Sequence, residues 1–252
     1  MKFAFSETNL TDAQWVYLKP LLPKPAKRGR LSVDRRRIID AILYLVKCGW
    51  PWRYLPVDFP HWKTVYHVFR QWYRNNQWAV LNDTLRIFVR KTNGKRSRPT
   101  AAILDSQSVK SDGRGGSVGF DAGKRIKGRK RHLLVDTLGL VLGVAVTPAS
   151  TTERDGAQLL LGRVLGWFAW LNILWVDGGY TGEAFAQWVK GLRPKLKVEV
   201  VKRFDDIKGF KVLPHRWVVE RTFGWLMRQR RLVSDYETTD SSAEAMVYIA
   251  MI

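Results

Sequence analysis

Residues 172–182 read NILWVDGGYTG, an apolar run closed by an aspartate and two glycines. NILWVDGG (172–179) reads as a strand. Asp-Gly at its end is an ordinary turn signal, because glycine supplies the positive φ that a tight turn needs. A strand that ends on a carboxylate also fixes that acid at the edge of a sheet, where open α/β sheets hold their ligands. Asp177 therefore has two readings, as a turn former and as a site residue, and the rest of the chain has to decide between them.

The same pattern recurs upstream, where TAAIL (100–104) runs into Asp105 within a strand read over TAAILDSQSV (100–109). Between the two, HLLVDTLGLVLGVAVTP (132–148) holds two β-rich runs hinged on TLG, and KVEVVK (197–202) supplies a further strand. Asp136 also closes an apolar run, but the hairpin turn after it accounts for it without a functional role. Helical patterns lie at 155–168, 182–192, 214–231 and 241–251. The order strand, hairpin, helix, strand, helix, strand, helix describes an α/β domain over 101–252, a mixed sheet flanked by helices.

Ahead of it, residues 1–93 read as an all-α module. DAQWVYLKPLL, SVDRRRIIDAILYLVKC and WKTVYHVFRQWYRN each place apolar residues three and four apart, with Thr11 and Ser32 as N-caps. The module has the size of a helix-turn-helix unit, and TVYHVFRQWYR is its first candidate for a groove-facing helix. Some of Tyr66, Phe69, Trp72 and Tyr73 must supply core, only Lys63, His67, Arg70 and Arg74 are candidate outward contacts, and the sequence alone leaves that face unassigned. Residues 94–100, basic and ending near Pro99, read as a linker.

Charge narrows the function. The 252 residues carry 43 Lys+Arg against 22 Asp+Glu, a net +21, which points to a polyanionic partner and most simply to nucleic acid. Residues 1–100 hold 20 basic and 6 acidic residues, so most of the excess lies in the helical module. The single cysteine, Cys48, excludes an intrachain disulfide and any multi-cysteine metal site. The longest apolar stretch, 164–176, is too short to span a bilayer, and MKFAFSETNLTD has no signal-peptide core. The expected location is the cytoplasm, in association with the nucleoid, with no membrane partner.

A third acid, Glu220, lies in PHRWVVERTFGWLMRQRR among Val218, Val219, Phe223 and Leu226, where a charge is costly unless paired or metal-bound. Arg216 precedes it by four residues on the same helical face, the spacing of an ordinary surface ion pair. Two strand-end aspartates and a helix glutamate, without a His or Cys ligand pattern, form a hard-oxygen set that suits Mg²⁺ or Mn²⁺. Combined with the basic charge, that points to phosphodiester chemistry with two metals about 3.5–4 Å apart. GKRIKGRKR (123–131) adds Lys124, Arg125, Lys127, Arg129, Lys130 and Arg131, dense enough to hold phosphates, although a charge run is also what a solvated loop looks like.

These stretches resemble the DDE transposases of the IS5 group of bacterial insertion sequences, over nearly the whole chain. The N-terminal resemblance lies in LTDAQWVYLKPLLP, KRGRLSVDRRRIIDAILYLVKCGWPWRYLP and FPHWKTVYHVFRQWYRNNQW. The C-terminal one lies in ILDSQSVK, KGRKRHLLVDTLGLVLGVAVTPAS, LWVDGGYTG and RWVVERTFGWLMRQRRL. It implies an RNase H-like catalytic fold and an acidic triad on Asp105, Asp177 and Glu220, the residues already reached from chemistry. It also implies a phosphate-holding Arg216, two Mg²⁺, and a synaptic dimer or higher assembly on DNA. The expected activity is binding of terminal inverted repeats, then strand cleavage and transfer into target DNA. Met227 stands where relatives carry a basic residue seven positions after the glutamate. The rival readings are a non-catalytic DNA-binding regulator descended from such an enzyme, and a metal-dependent nuclease that cuts without joining.

Overall fold

The computed structural model describes residues 8–23, 33–111, 113, 116–201 and 216–252. Among the described residues the N-terminal region holds the helices α1 (Asp12–Leu18), α2 (Arg35–Cys48), α3 (Trp62–Arg74) and α4 (Gln77–Thr92). Thr11 caps α1 in a reciprocal capping box, its hydroxyl accepting from Gln14 N while the Gln14 side chain accepts from Thr11 N. The cap of α2 is Asp34, whose carboxylate accepts from Arg36 N at 2.9 Å; Ser32, the expected cap, lies outside the described residues. Gly49 ends α2 at φ 77, a left-handed cap that favours glycine.

Helix α3 sorts its residues by period. Val65, Phe69 and Trp72 are buried, whereas Lys63, His67, Arg70 and Arg74 are all exposed along one stripe. Helix α4 turns two arginines inward. Arg86 and Arg90 are buried, and Arg90 pairs with the fully buried Asp136 at 2.6 Å. Arg90 Nε also donates to Arg96 O and Arg86 to Ser97 O, which fastens residues 94–100 to the helix before the first strand begins.

Six strands form one mixed sheet: β1 (Ala101–Lys110), β2 (Gly119–Asp121), β3 (Ile126–Asp136), β4 (Val141–Pro148), β5 (Ile173–Val176) and β6 (Lys197–Val200). β1 pairs antiparallel with β3, whose other edge carries β2 and then β4. On its second edge β1 pairs parallel with β5, and β5 with β6. The β3–β4 hairpin turns on TLG as expected, with Gly139 at φ 80. Asp136 is the turn residue anticipated for it, accepting from Leu138 N and Leu140 N. β2 had no signal in the sequence; it is three residues long and depends on β3.

Helices cover both faces. On one, α5 (Glu153–Val164) and α6 (Glu183–Leu192) pack on Ala102, Leu104, Leu134, Leu174 and Val176. On the other, α7 (Arg216–Met227), α8 (Arg230–Val233) and α9 (Asp240–Ala250) share a core with Ile103, Leu133 and Val135. Ile38, Ile42, Phe69 and Trp78 of the N-terminal helices belong to that same core, so the helical module and the sheet bury apolar surface together.

Candidate active site

Register brings the first two acids together. β1 and β5 pair as Ala101 with Ile173, Ala102 with Leu174 and Ile103 with Trp175. Continued by two residues, the same register sets Asp105 beside Asp177. Successive side chains alternate between faces, and Asp177 is still extended at φ −88. Both acids therefore share the face of Ile103 and Trp175, which is the face that α7 covers. The strand expected over TAAILDSQSV (100–109) is present as β1, with Asp105 inside it rather than at its end. β1 runs on to Lys110 on β3, and only its pairing with β5 stops at Ile103, so Asp105 stands where the sheet forks.

The turn after Asp177 also departs from expectation. Neither Gly178 nor Gly179 has a positive φ; the chain makes a single 3₁₀ turn there, capped by the Asp177 carboxylate, which accepts from Gly179 N at 2.9 Å. Gly179 is glycine for another reason. A Cβ on it would lie 2.0 Å from Glu153 Oε2. Glu153, at the start of α5, accepts from Ser106 Oγ at 3.1 Å, and Lys124 Nζ lies 3.5 Å from it and 3.3 Å from Ser106 O. Tyr180 is buried against this group. Burial first, then the charges of Asp105, Glu153 and Asp177, hold its phenol well above the usual tyrosine range.

Glu220 is on α7, the helix that packs on β1, but its side chain is exposed while Val218, Val219, Phe223 and Leu226 are buried. The expected desolvation of its charge is thus corrected: apolar sequence neighbours face the core and Glu220 does not. Arg216 opens α7, and its side chain lies outside the described residues. Among the described residues no three His, Cys, Asp or Glu groups converge closely enough to cage an ion.

The basic run divides in two. Lys124, Arg125 and Lys127 are exposed around the turn into β3. Arg129, Lys130 and Arg131 are buried within β3, which corrects their reading as phosphate contacts. Arg129 faces Asp235 at 3.7 Å and Asp240 at 3.6 Å. Lys130 pairs with Asp121 at 3.3 Å and donates to Thr151 O, and Arg131 donates to Leu232 O at 2.7 Å. Burial lowers the Arg131 pKa to about 10, against the pull of Asp235 and Glu237.

Residues 96–252 match the family described as "Transposase DDE domain", well over half of the chain. The chain belongs to that family of DDE transposases. Residues 10–82 match a second family, described as "Putative transposase of IS4/5 family". The chain is also 30% identical over 117 residues to "Insertion element IS402 uncharacterized 16.2 kDa protein" of Burkholderia cepacia, a match that covers 44% of this chain and 78% of that protein. Among the described residues of this transposase, no helix is long and apolar enough to cross a membrane.

The residue that sequence reasoning passed over is Glu153. Its only local signal is an acid in the first turn of a helix capped by Thr152, which reads as ordinary helix-dipole chemistry. Its interactions with Ser106 and Gly179 are tertiary and left no spacing to find.

Proposed function

We propose that this chain is an insertion-sequence transposase of the IS5 group. Its helical module binds terminal inverted repeats, and its sheet domain cleaves and joins DNA strands with Asp105, Asp177 and Glu220. The observation that carries the reading is the β1–β5 register, which, continued two residues past Ile103 and Trp175, sets Asp105 beside Asp177 within a segment matching the DDE family. An antiparallel β1–β3–β4 half continued by parallel β5 and β6 is consistent with an RNase H-like fold. The exposed stripe Lys63, His67, Arg70 and Arg74 supports α3 as the groove-facing helix.

The donor set fits Mg²⁺ or Mn²⁺: carboxylate oxygens with no soft ligand among them. Such an ion, when bound, lowers the pKa of a water or 3′-hydroxyl and stabilises the leaving oxygen. Asp105 and Asp177 are held for this by main-chain donors, Ser106 N at 2.7 Å and Gly179 N at 2.9 Å, which orient each carboxylate. Glu220 completes the set from α7, and Arg216, Lys124, Arg125 and Lys127 hold phosphates. Joining two element ends calls for an assembly of at least two copies on DNA.

The test is incubation of the full chain with Mg²⁺ and donor DNA carrying the cognate ends, beside Asp177→Ala. Cleavage and joining that fall on the order of 10³-fold or more in the variant, as when one member of a catalytic unit is removed, support transposition. Cleavage without joining identifies a nuclease. Salt-sensitive binding with no cut product overturns both enzyme readings and leaves a regulator.

A further inference from the structure

We propose that Glu153 is a positioning residue for the Asp105 and Asp177 carboxylates, a role that rests on the reading of those two as the ion-holding pair. Its surroundings point to it. The carboxylate accepts from the hydroxyl of Ser106, the residue after Asp105, at 3.1 Å. It fills the space left by the missing side chain of Gly179, two residues after Asp177. Lys124 Nζ lies 3.5 Å from it while donating to Ser106 O, a counter-charge on the same strand position. The next residue of α5, Arg154, donates from Nε to Gly179 O at 3.3 Å, so the first turn of this helix grips the turn after Asp177 twice.

The arrangement explains how two short pieces of backbone stay in register where the sheet no longer pairs them. The ladder between β1 and β5 ends at Ile103 and Trp175, two residues before the acids. Beyond it, Glu153 replaces the missing ladder, touching the chain just after each aspartate from the α5 side. It meets the hydroxyl of Ser106 and the space at Gly179, which Asp177 Oδ1 also borders, so Glu153 acts through the chain that carries the two aspartates. The charge is held by Ser106 and Lys124, and Tyr180 closes the space beneath, 1% exposed.

The experiment compares the full-length wild type with Glu153→Gln, Glu153→Ala and Gly179→Ala, using Mn²⁺ alone as the probe. It reads Mn²⁺ affinity by electron paramagnetic resonance and backbone protection by hydrogen exchange. Glu153→Gln keeps the shape and the bond from Ser106. Gly179→Ala keeps the charge but drives the Glu153 carboxylate from its place, crowding Asp177 Oδ1 less, at 3.1 Å. The expected result is faster exchange in peptides covering 105–107 and 178–181 for Glu153→Ala and Gly179→Ala. Mn²⁺ binding should weaken about 10- to 100-fold in both, the range seen when a group supporting a ligand is removed. Glu153→Gln should stay near wild type in both measurements. Unchanged exchange and affinity in Glu153→Ala overturn the proposal. So does a Glu153→Gln protein that loses Mn²⁺ as completely as Asp177→Ala with its exchange unaltered, because Glu153 would then be a ligand. Wild-type protein that binds no Mn²⁺ overturns the ion-holding reading of the aspartates, while the exchange comparison still decides the role of Glu153.

Discussion

Two basic stretches of this chain have opposite fates. The run 124–131 packs six Lys and Arg into eight positions, yet Arg129, Lys130 and Arg131 end up buried. The stripe Lys63, His67, Arg70 and Arg74 spreads four residues over twelve positions, and all four are exposed. Linear charge density says little about what a partner meets. The period of the element decides: in a strand covered on both faces alternate and neighbouring residues alike are enclosed, whereas in a helix one stripe stays outside.

The comparison breaks most visibly at Arg129. Asp235 is 2% exposed and faces Arg129, so Arg129→Met leaves a carboxylate buried without that charge. Stability should fall by about 3–5 kcal/mol, the cost of breaking a buried pair by removing one partner. Urea denaturation of the variant measures it. A loss below about 1 kcal/mol, with DNA binding weakened instead, would return Arg129 to the phosphate contacts and erase the distinction between the two stretches.

The next residue inward sharpens the same point through pH. His132 is fully buried and bonded to Thr147 Oγ1 at 3.0 Å; burial first, then Lys130 and Lys124, lower its pKa from 6.5 to about 4. A histidine whose folded pKa is depressed binds its proton more readily when unfolded. Its contribution is therefore intact above pH 6.5 and is lost as pH falls through about 4. Across that window stability should drop by about 3 kcal/mol on account of this group. Denaturation midpoints of wild type and His132→Gln, taken at pH 7 and pH 4.5, should converge as pH falls. Parallel curves would show that His132 does not titrate with unfolding.

How much of this was legible in the sequence follows the reach of each interaction. Strands ending on or passing through Asp105 and Asp177 were readable because an apolar run and an acid are local signals, and Thr11 was readable as a cap because its partner Gln14 is three residues away. Glu153 was not, because Ser106 lies 47 residues before it. The burial of Arg129 and Arg131 depends on Asp235 and Leu232, about a hundred residues on, which no window of sequence contains. Gly178 and Gly179 looked like a positive-φ turn because Asp-Gly usually is one; the second glycine instead makes room for a side chain from another helix. Glu220 was placed on the right helix and given the wrong surroundings, since residues adjacent in a helix point in different directions.

The exposed stripe should behave in the opposite way to Arg129. Arg70→Gln or Arg74→Gln should leave stability within about 0.5 kcal/mol, as surface substitutions do. A side chain that neutralises one phosphate should, when replaced, shrink the slope of log affinity against log salt by about 0.9. A residue that instead reads a base edge costs about 1–3 kcal/mol and relaxes preference at one position. Titrations of cognate-end and random duplexes at several salt concentrations separate these cases. No change in either quantity would remove α3 from the DNA surface.

Arg125 carries the smallest effect and the most direct test of what an exposed charge is for. It sits in the loop 122–125 between β2 and β3 at φ 53, a left-handed conformation that costs a residue with a Cβ roughly 1–2 kcal/mol. Asparagine tolerates that region better, so Arg125→Asn should raise stability by a few tenths to about 1 kcal/mol. If the charge is kept there to meet a phosphate, the same substitution should also weaken DNA binding at every sequence and lower the salt slope by about 0.9. The signs are opposed, which a purely structural residue does not produce. A variant that is more stable and binds DNA as before would show that the exposed half of the run, like its buried half, serves the fold.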